Sequence, residues 1–173
     1  TKGAAGQAWR DRIGIVLQST EDTGDLTVYE SVSHFAKYYK SPKDPREVID
    51  LVGLSEKVDA LGRTLSGGQR RRLDVALGII GSPELIFLDE PTTGLHFHDI
   101  DKLIIAFNSL IDVGHSIVVI EHNTEVIKCA DHVIDLGPEG GKNGGNILFT
   151  GTPEELIKQT DNSTGQFLKP KLV

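Results

Sequence analysis

Short, wholly apolar runs alternate along this chain with stretches in which apolar residues return every three or four positions. Ile13 to Leu17 is β-branched and apolar, reads as a buried strand, and delivers Gln18 to its end. Ser19 to Asp25 is polar and loop-like. From Thr27 onward Val28, Val32, Phe35, Ala36 and Tyr39 recur at helical spacing, and Ser41-Pro42 closes that helix. Asp44 can cap the next one, with Pro45 in its first turn and Glu47 at the reciprocal capping position; it runs to about Val52 and stops at Gly53. Ser66 and Gln69 repeat the capping-box spacing, and Leu73, Ala76, Leu77 and Ile80 mark one face of the helix they open.

Gly81-Ser82-Pro83 breaks that helix, and Leu85 to Leu88 is a continuous apolar strand of the kind buried on both faces of a parallel sheet. Ile100, Leu103, Ile104, Phe107 and Ile111 form an amphipathic helix that ends at Gly114. Ser116 to Ile120 is a second apolar strand and stops at Glu121-His122. A short helix near Thr124–Ala130 leads to a strand over His132–Leu136. The glycine-rich turn Gly137–Gly145 then leads to Ile147–Thr150 as a hairpin return or edge strand. Thr152-Pro153-Glu154-Glu155 is a further capping box and opens a last helix. Strands alternating with helices predict an α/β fold with a mostly parallel sheet. A single domain over residues 1–173 is expected, with a helical subdomain over about 24–65, a core over 66–160 and a C-terminal tail over 161–173.

Composition narrows the class without naming it. The 173 residues carry 18 Lys and Arg against 25 Asp and Glu, a formal charge of −7, which argues against broad nonspecific binding to nucleic acid. No apolar run approaches the roughly 20 residues a membrane span needs, and no leader pattern opens the chain. The expectation is a cytoplasmic domain, at most peripheral to an inner membrane. Cys129 is the single cysteine, so an internal disulfide and a multi-cysteine zinc site are excluded. Asn162-Ser163-Thr164 matches the glycosylation triplet, which in a cytoplasmic chain is chance.

Candidate chemistry gathers at the ends of the apolar runs. Ligands bind at the C-terminal ends of strands in α/β sheets, and Asp89 and Glu90 stand at such an end. Two adjacent carboxylates are costly there unless a cation or water meets them, although an Asp-Glu pair also serves as a common cap. Ser66-Gly67-Gly68-Gln69 opens a helix whose unpaired N–H groups and positive dipole suit a phosphate; a plain capped glycine turn has the same letters. Gln18 and His122 each follow a strand, which alone is weak evidence. Arg70, Arg71 and Arg72 form the one dense basic run, read as a solvated face or partner contact, with DNA as the lesser use. His96 and His98 lack a third ligand and make a poor metal pair.

Taken in order, Leu65-Ser66-Gly67-Gly68-Gln69 and Leu85–Pro91 resemble the signature and Walker B motifs of ATP-binding cassette (ABC) ATPases. The resemblance implies a partial P-loop NTPase fold, ATP and Mg²⁺ as cofactors, and a second ABC ATPase domain as dimer partner. It gives Asp89 and Gln18 a role on Mg²⁺, Glu90 the role of general base, Gln18 the attacking water, and His122 the γ-phosphate. Ser66, Gly67, Gly68 and Gln69 would close on a nucleotide held by the opposite subunit. Gly94-Leu95-His96 falls in the D-loop place, where many transporters carry Asp rather than His96.

The resemblance is not uniform. Trp9 to Glu90, with Arg12–Gln18, Leu26–Glu30 and Thr64–Arg72, looks like bacterial drug-exporter ATPases; residues 1–94 are assigned to that half. Residues 95–173, with Leu95–Ile100, Ile120–Asn123, Asp135–Gly141 and Phe167–Pro170, resemble the C-terminal end of the UvrA excinuclease subunits. A join within the shared stretch Leu88–Gly94 is the first expectation, a family with intermediate features the second, and a truncated excinuclease subunit the third. No G-x-x-x-x-G-K-[ST] phosphate loop (Walker A) occurs in the 173 residues, and in both relatives that loop precedes the segment matching Thr1–Trp9. The expected function is therefore a transporter-type ABC ATPase domain, with a membrane permease as a further candidate partner, that is not active alone. A UvrA-like DNA-repair ATPase fragment, with nucleic acid as partner, and an inactive interaction or scaffold module are the alternatives.

Overall fold

The structure is a computed structural model that describes residues 9–10, 12–18, 24–137 and 145–172. The chain divides into two compact units, residues 1–120 and 121–173. In the first, three parallel strands lie in the order β1 (Ile13–Val16), β2 (Leu85–Asp89) and β3 (Ser116–Ile120). Ile15 sits opposite Phe87, Phe87 opposite Val118, and Asp89 opposite Ile120. The α-helices of the first unit include α1 (Val28–Ala36), α2 (Pro45–Leu51), α3 (Gly67–Ile79) and α4 (Phe97–Asp112).

Local chemistry explains where these helices start. Thr27 and Glu30 form a full capping box on α1: Thr27 Oγ1 accepts from the Glu30 N–H at 3.1 Å, and Glu30 returns a carboxylate oxygen to the Thr27 N–H at 2.8 Å. Those bonds, the backbone one foremost, hold the Glu30 carboxyl below the usual carboxylate range. Asp44 accepts from both Arg46 and Glu47 N–H groups at the start of α2, with Pro45 in the first turn; no return bond from Glu47 is present among the described residues. Gly53, at φ +67°, lies just beyond α2.

Helix α3 is the axis of this unit. Leu73, Val75, Ala76, Leu77 and Ile79 are all buried, so the helix is enclosed on nearly every side rather than on one stripe. They pack with Val16, Ile86 and Leu88 of the sheet, Val28 and Val32 of α1, Val48 and Ile49 of α2, and Leu103 and Leu110 of α4. Strand β1 and α3 meet backbone to backbone. A Cβ on Gly14 would strike the Gly78 carbonyl, and one on Gly78 would lie 2.7 Å from Val16 Cγ2.

The sheet corrects one expectation. β2 is not uniformly buried: Ile86 and Leu88 are enclosed, while Leu85, Phe87 and Asp89 are partly exposed. On the same face Ile15 is 64% and Ile120 58% exposed. Apolar letters at every position report what each face could bury. Among the described residues, side chains pack tightly on only one of them.

The second unit pairs β4 (Val133–Gly137) with β5 (Asn146–Gly151) antiparallel, with an irregularity between Asp135 and Leu136. The expected hairpin return is thus a real strand; residues 138–144 of the glycine-rich turn lie outside the described residues. Among the described residues it is accompanied by α5 (Thr124–Ile127), α6 (Pro153–Leu156) and α7 (Ser163–Leu172). The Thr152–Glu155 capping box forms, yet it opens only the single turn of α6. A separate helix, α7, occupies what reads as a tail. Its cap is Asn162, whose Oδ1 accepts from the Gly165 N–H at 2.8 Å while its Nδ2 donates to Asp135 Oδ2 at 2.7 Å. Asn162 is buried, so the glycosylation triplet is spent on packing.

Candidate functional site: the carboxyl ends of the parallel strands

β1 and β2 run parallel and stop side by side, so Gln18 and Glu90 meet. Gln18 Nε2 lies 3.0 Å from Glu90 Oε2, and Thr93 Oγ1 lies 3.1 Å from the same oxygen. A carboxylate only accepts, so both neighbours donate, which fixes the glutamine amide with its NH₂ toward Glu90 and leaves its carbonyl oxygen to other partners. Glu90 itself sits at φ +41°, a left-handed conformation that costs a non-glycine residue on the order of 1 kcal/mol. Two backbone bonds hold it there: Glu90 N–H to Ile120 O at 3.0 Å, and Thr93 N–H to Glu90 O at 3.2 Å.

The arginine run overturns a sequence expectation. Arg71 and Arg72 are each only 6% exposed, not part of a solvated face. Arg71 donates through Nη1 to Leu17 O at 2.6 Å, through Nη2 to Asp89 O at 2.7 Å and through Nε to Pro91 O at 3.2 Å. Asp74 Oδ2 stands 3.8 Å from Nη1. Arg72 donates to Val52 O at 3.1 Å and Gly53 O at 2.5 Å, tying α3 to the end of α2; its burial lowers the guanidinium pKa, against the charge of Asp99. Only Arg70 is exposed, and it too donates, to Gly62 O at 3.3 Å. Carbonyls at the strand ends draw the Arg71 guanidinium inward, and carbonyls at the end of α2 draw that of Arg72. Helical spacing carries a signal for it, since Arg72 precedes Val75, Ala76 and Ile79 by three, four and seven residues.

At the start of α3, Ser66 Oγ accepts from the Gln69 N–H at 3.2 Å and Gln69 Oε1 accepts from the Ser66 N–H at 2.9 Å. Ser66 and Gly67 are exposed. Gly68 is buried, and a Cβ there would run into the side chain of Asp99. After Glu90 the chain turns through Gly94, at φ +74°, into α4, whose N-cap His96 and first residues Phe97 and His98 are exposed. His122 falls in the second unit, where Glu121 Oε2 accepts from the backbone N–H groups of His122 and Asn123, each at 3.0 Å.

No group of three or more His, Cys, Asp or Glu side chains is placed to hold a metal ion among the described residues. Mg²⁺ is commonly held by one or two carboxylates together with substrate phosphates. The Asp89 carboxylate and the Gln18 side-chain carbonyl oxygen are hard donors of the kind Mg²⁺ takes. Among the described residues no helix is long and apolar enough to cross a membrane.

A family model described as "ABC transporter" matches residues 2–93, more than half of the 173 residues. The chain belongs to that family. Its curated relatives include the UvrABC system protein A of Rhizobium meliloti (strain 1021), 46% identical over 159 residues, covering 90% of this chain and 16% of the relative. That of Staphylococcus epidermidis is 43% identical over 155 residues, covering 87% and 16%. This ABC chain therefore spans about a sixth of their length. A match to 90% of the chain must cross Leu88–Gly94, so one relative accounts for residues on both sides of the expected join. Among solved structures, the ADP conformation of MJ1267, an ATP-binding cassette of an ABC transporter, superposes with a TM-score of 0.62 at 21% identity. The match covers 74% of this chain and 58% of that one. The fold is that of an ABC ATPase cassette.

Proposed function

We propose that this ABC chain is a segment of a UvrA-like DNA-repair ATPase, contributing the signature, Walker B and Q-loop elements to a composite site for Mg-ATP hydrolysis. The observation that carries the chemistry is the 3.0 Å bond between Gln18 and Glu90. It sets an oriented carboxylate beside the group that would face both Mg²⁺ and water. Glu90 takes the proton of the attacking water as general base, with Thr93 donating to the same oxygen as Gln18. Asp89 and the Gln18 carbonyl oxygen hold Mg²⁺, which neutralises phosphate charge when bound. Ser66 and Gly67, with the N–H group of Gly68, meet the γ-phosphate of a nucleotide bound to a second ABC domain; the γ-phosphate role of His122 rests on the family resemblance alone. The phosphate loop comes from outside these 173 residues. The choice of a repair ATPase over a transporter rests on the 43–46% identity to proteins named UvrABC system protein A. A transporter ATPase is the second reading, favoured by the family model alone.

The test joins the chain to an ABC domain bearing a phosphate loop and measures ATP hydrolysis. Activity should appear on assembly and fall by about 10²- to 10⁴-fold with Glu90→Gln. Hydrolysis that survives that substitution would remove Glu90 from the mechanism. Duplex DNA that raises the rate at physiological salt supports the repair reading, and no binding there favours the transporter.

A further inference from the structure

Arg71 is a charged side chain enclosed at the point where the strand ends gather, and its three bonds have a common address. Leu17 precedes Gln18, Asp89 precedes Glu90, and Pro91 follows it; all three offer their carbonyl oxygens to one guanidinium. These carbonyls lie at or just beyond strand termini, where the ladder no longer supplies a partner for each of them. A planar fork with five N–H donors can serve three acceptors at once; an ammonium on a flexible stem cannot hold the same spacing. Glu90 between the last two acceptors is also the residue in the left-handed conformation, which persists only where its surroundings hold it.

We propose that Arg71 is the positioning residue of this site: its guanidinium fixes the ends of β1 and β2 relative to each other and thereby the alignment of Gln18 with Glu90. It acts through the backbone on either side of Glu90, by way of the Asp89 and Pro91 carbonyls. Because it stands one turn along α3 from Ser66 and Gly67, the helix that presents the phosphate-facing N-terminus also carries the clamp on the chain's own water-activating pair. The inference rests on the catalytic reading of Gln18 and Glu90, and its test must tell the two apart.

Two measurements do so. In the assembled ATPase, Arg71→Gln should lower kcat by about 10- to 100-fold with KM for ATP little changed, and Arg71→Lys should fall between it and the parent. Combined with Gln18→Ala, Arg71→Gln should add almost no further loss, since both act through one alignment. A parent kcat in Arg71→Gln, or a fully additive loss, overturns the positioning role while leaving Glu90 catalysis intact. If instead the parent assembly shows no hydrolysis, the catalytic reading fails, and amide hydrogen exchange on the 173-residue chain judges the clamp alone. Arg71→Gln should then speed exchange at the Glu90 and Thr93 N–H groups while Val75 to Ile79 keep the parent rates. Parent rates at Glu90 and Thr93, or a uniform rise across α3 and the sheet, would overturn it. Arg71→Lys provides the same readout should the glutamine variant fail to fold.

Discussion

Two adjacent glycines in the signature turn do different work, and the difference is measurable. Gly68 leaves no room beside Asp99, whereas a Cβ on Gly67 would meet Leu95 Cδ2 at an ordinary 3.6 Å. Gly68→Ala should therefore destabilise the chain by about 1–3 kcal/mol through forced displacement of α4 or Asp99. Gly67→Ala should leave stability within about 0.5 kcal/mol of the parent, because it is exposed. Urea unfolding of both variants reads the contrast; equal losses would show that the model of packing at Gly68 is wrong. If Gly67 approaches a phosphate, its variant alone should lose hydrolysis in the assembled site without losing stability. Legibility at this scale was uneven. Gln18, Glu90 and the Ser66–Gln69 box announce themselves by strand ends and capping spacing. Arg71 and Thr93 do not, because their partners are backbone carbonyls and a carboxylate that only the folded turn brings near.

At the scale of elements, the sequence shows most helices and strands because their caps are written in it, and it misleads where tertiary contacts supply the end of an element. The Ser66–Gln69 box was readable from S-x-x-Q and opens α3. Helix α7 was not, since its start depends on Asn162 meeting Asp135 across 27 residues and its last turn contains Pro170. Asn162→Ala removes the cap and leaves Asp135 with one donor fewer, for an expected loss of about 1–2 kcal/mol. Glu125 ties α5 to α7 in a second way, accepting from Lys128 and Lys171, each at 2.6 Å. The Lys128 bond foremost, then that of Lys171, holds its carboxyl below the usual range. A depressed carboxyl stabilises the folded form above its unfolded pKa of about 4.3, and that contribution is lost as pH falls through the lower folded value. Unfolding curves at pH 7 and pH 3 should show a smaller acid loss in Glu125→Gln than in the parent; an unchanged difference would remove Glu125 from the acid limb.

At the scale of the whole molecule, the open side of the three-stranded sheet decides how the isolated chain behaves. A parallel sheet is normally covered on both faces, and the sequence writes both faces of β1, β2 and β3 in apolar residues. Yet Ile15, Leu17, Val118 and Ile120 are exposed, and register places Ile15, Phe87 and Val118 in one row across the three strands. A contiguous apolar row of this kind drives association in water. The 173-residue chain in isolation should therefore bind an apolar dye and scatter light at concentrations where an ordinary domain of charge −7 stays dispersed. Ile15→Lys and Val118→Lys, both on that row, should suppress dye binding while far-ultraviolet circular dichroism keeps the parent α/β signal. In the assembled ATPase the same two substitutions should cost activity only if assembly covers this face. Lysines that leave both dye binding and scattering at parent levels would show that association, if any, arises from another surface.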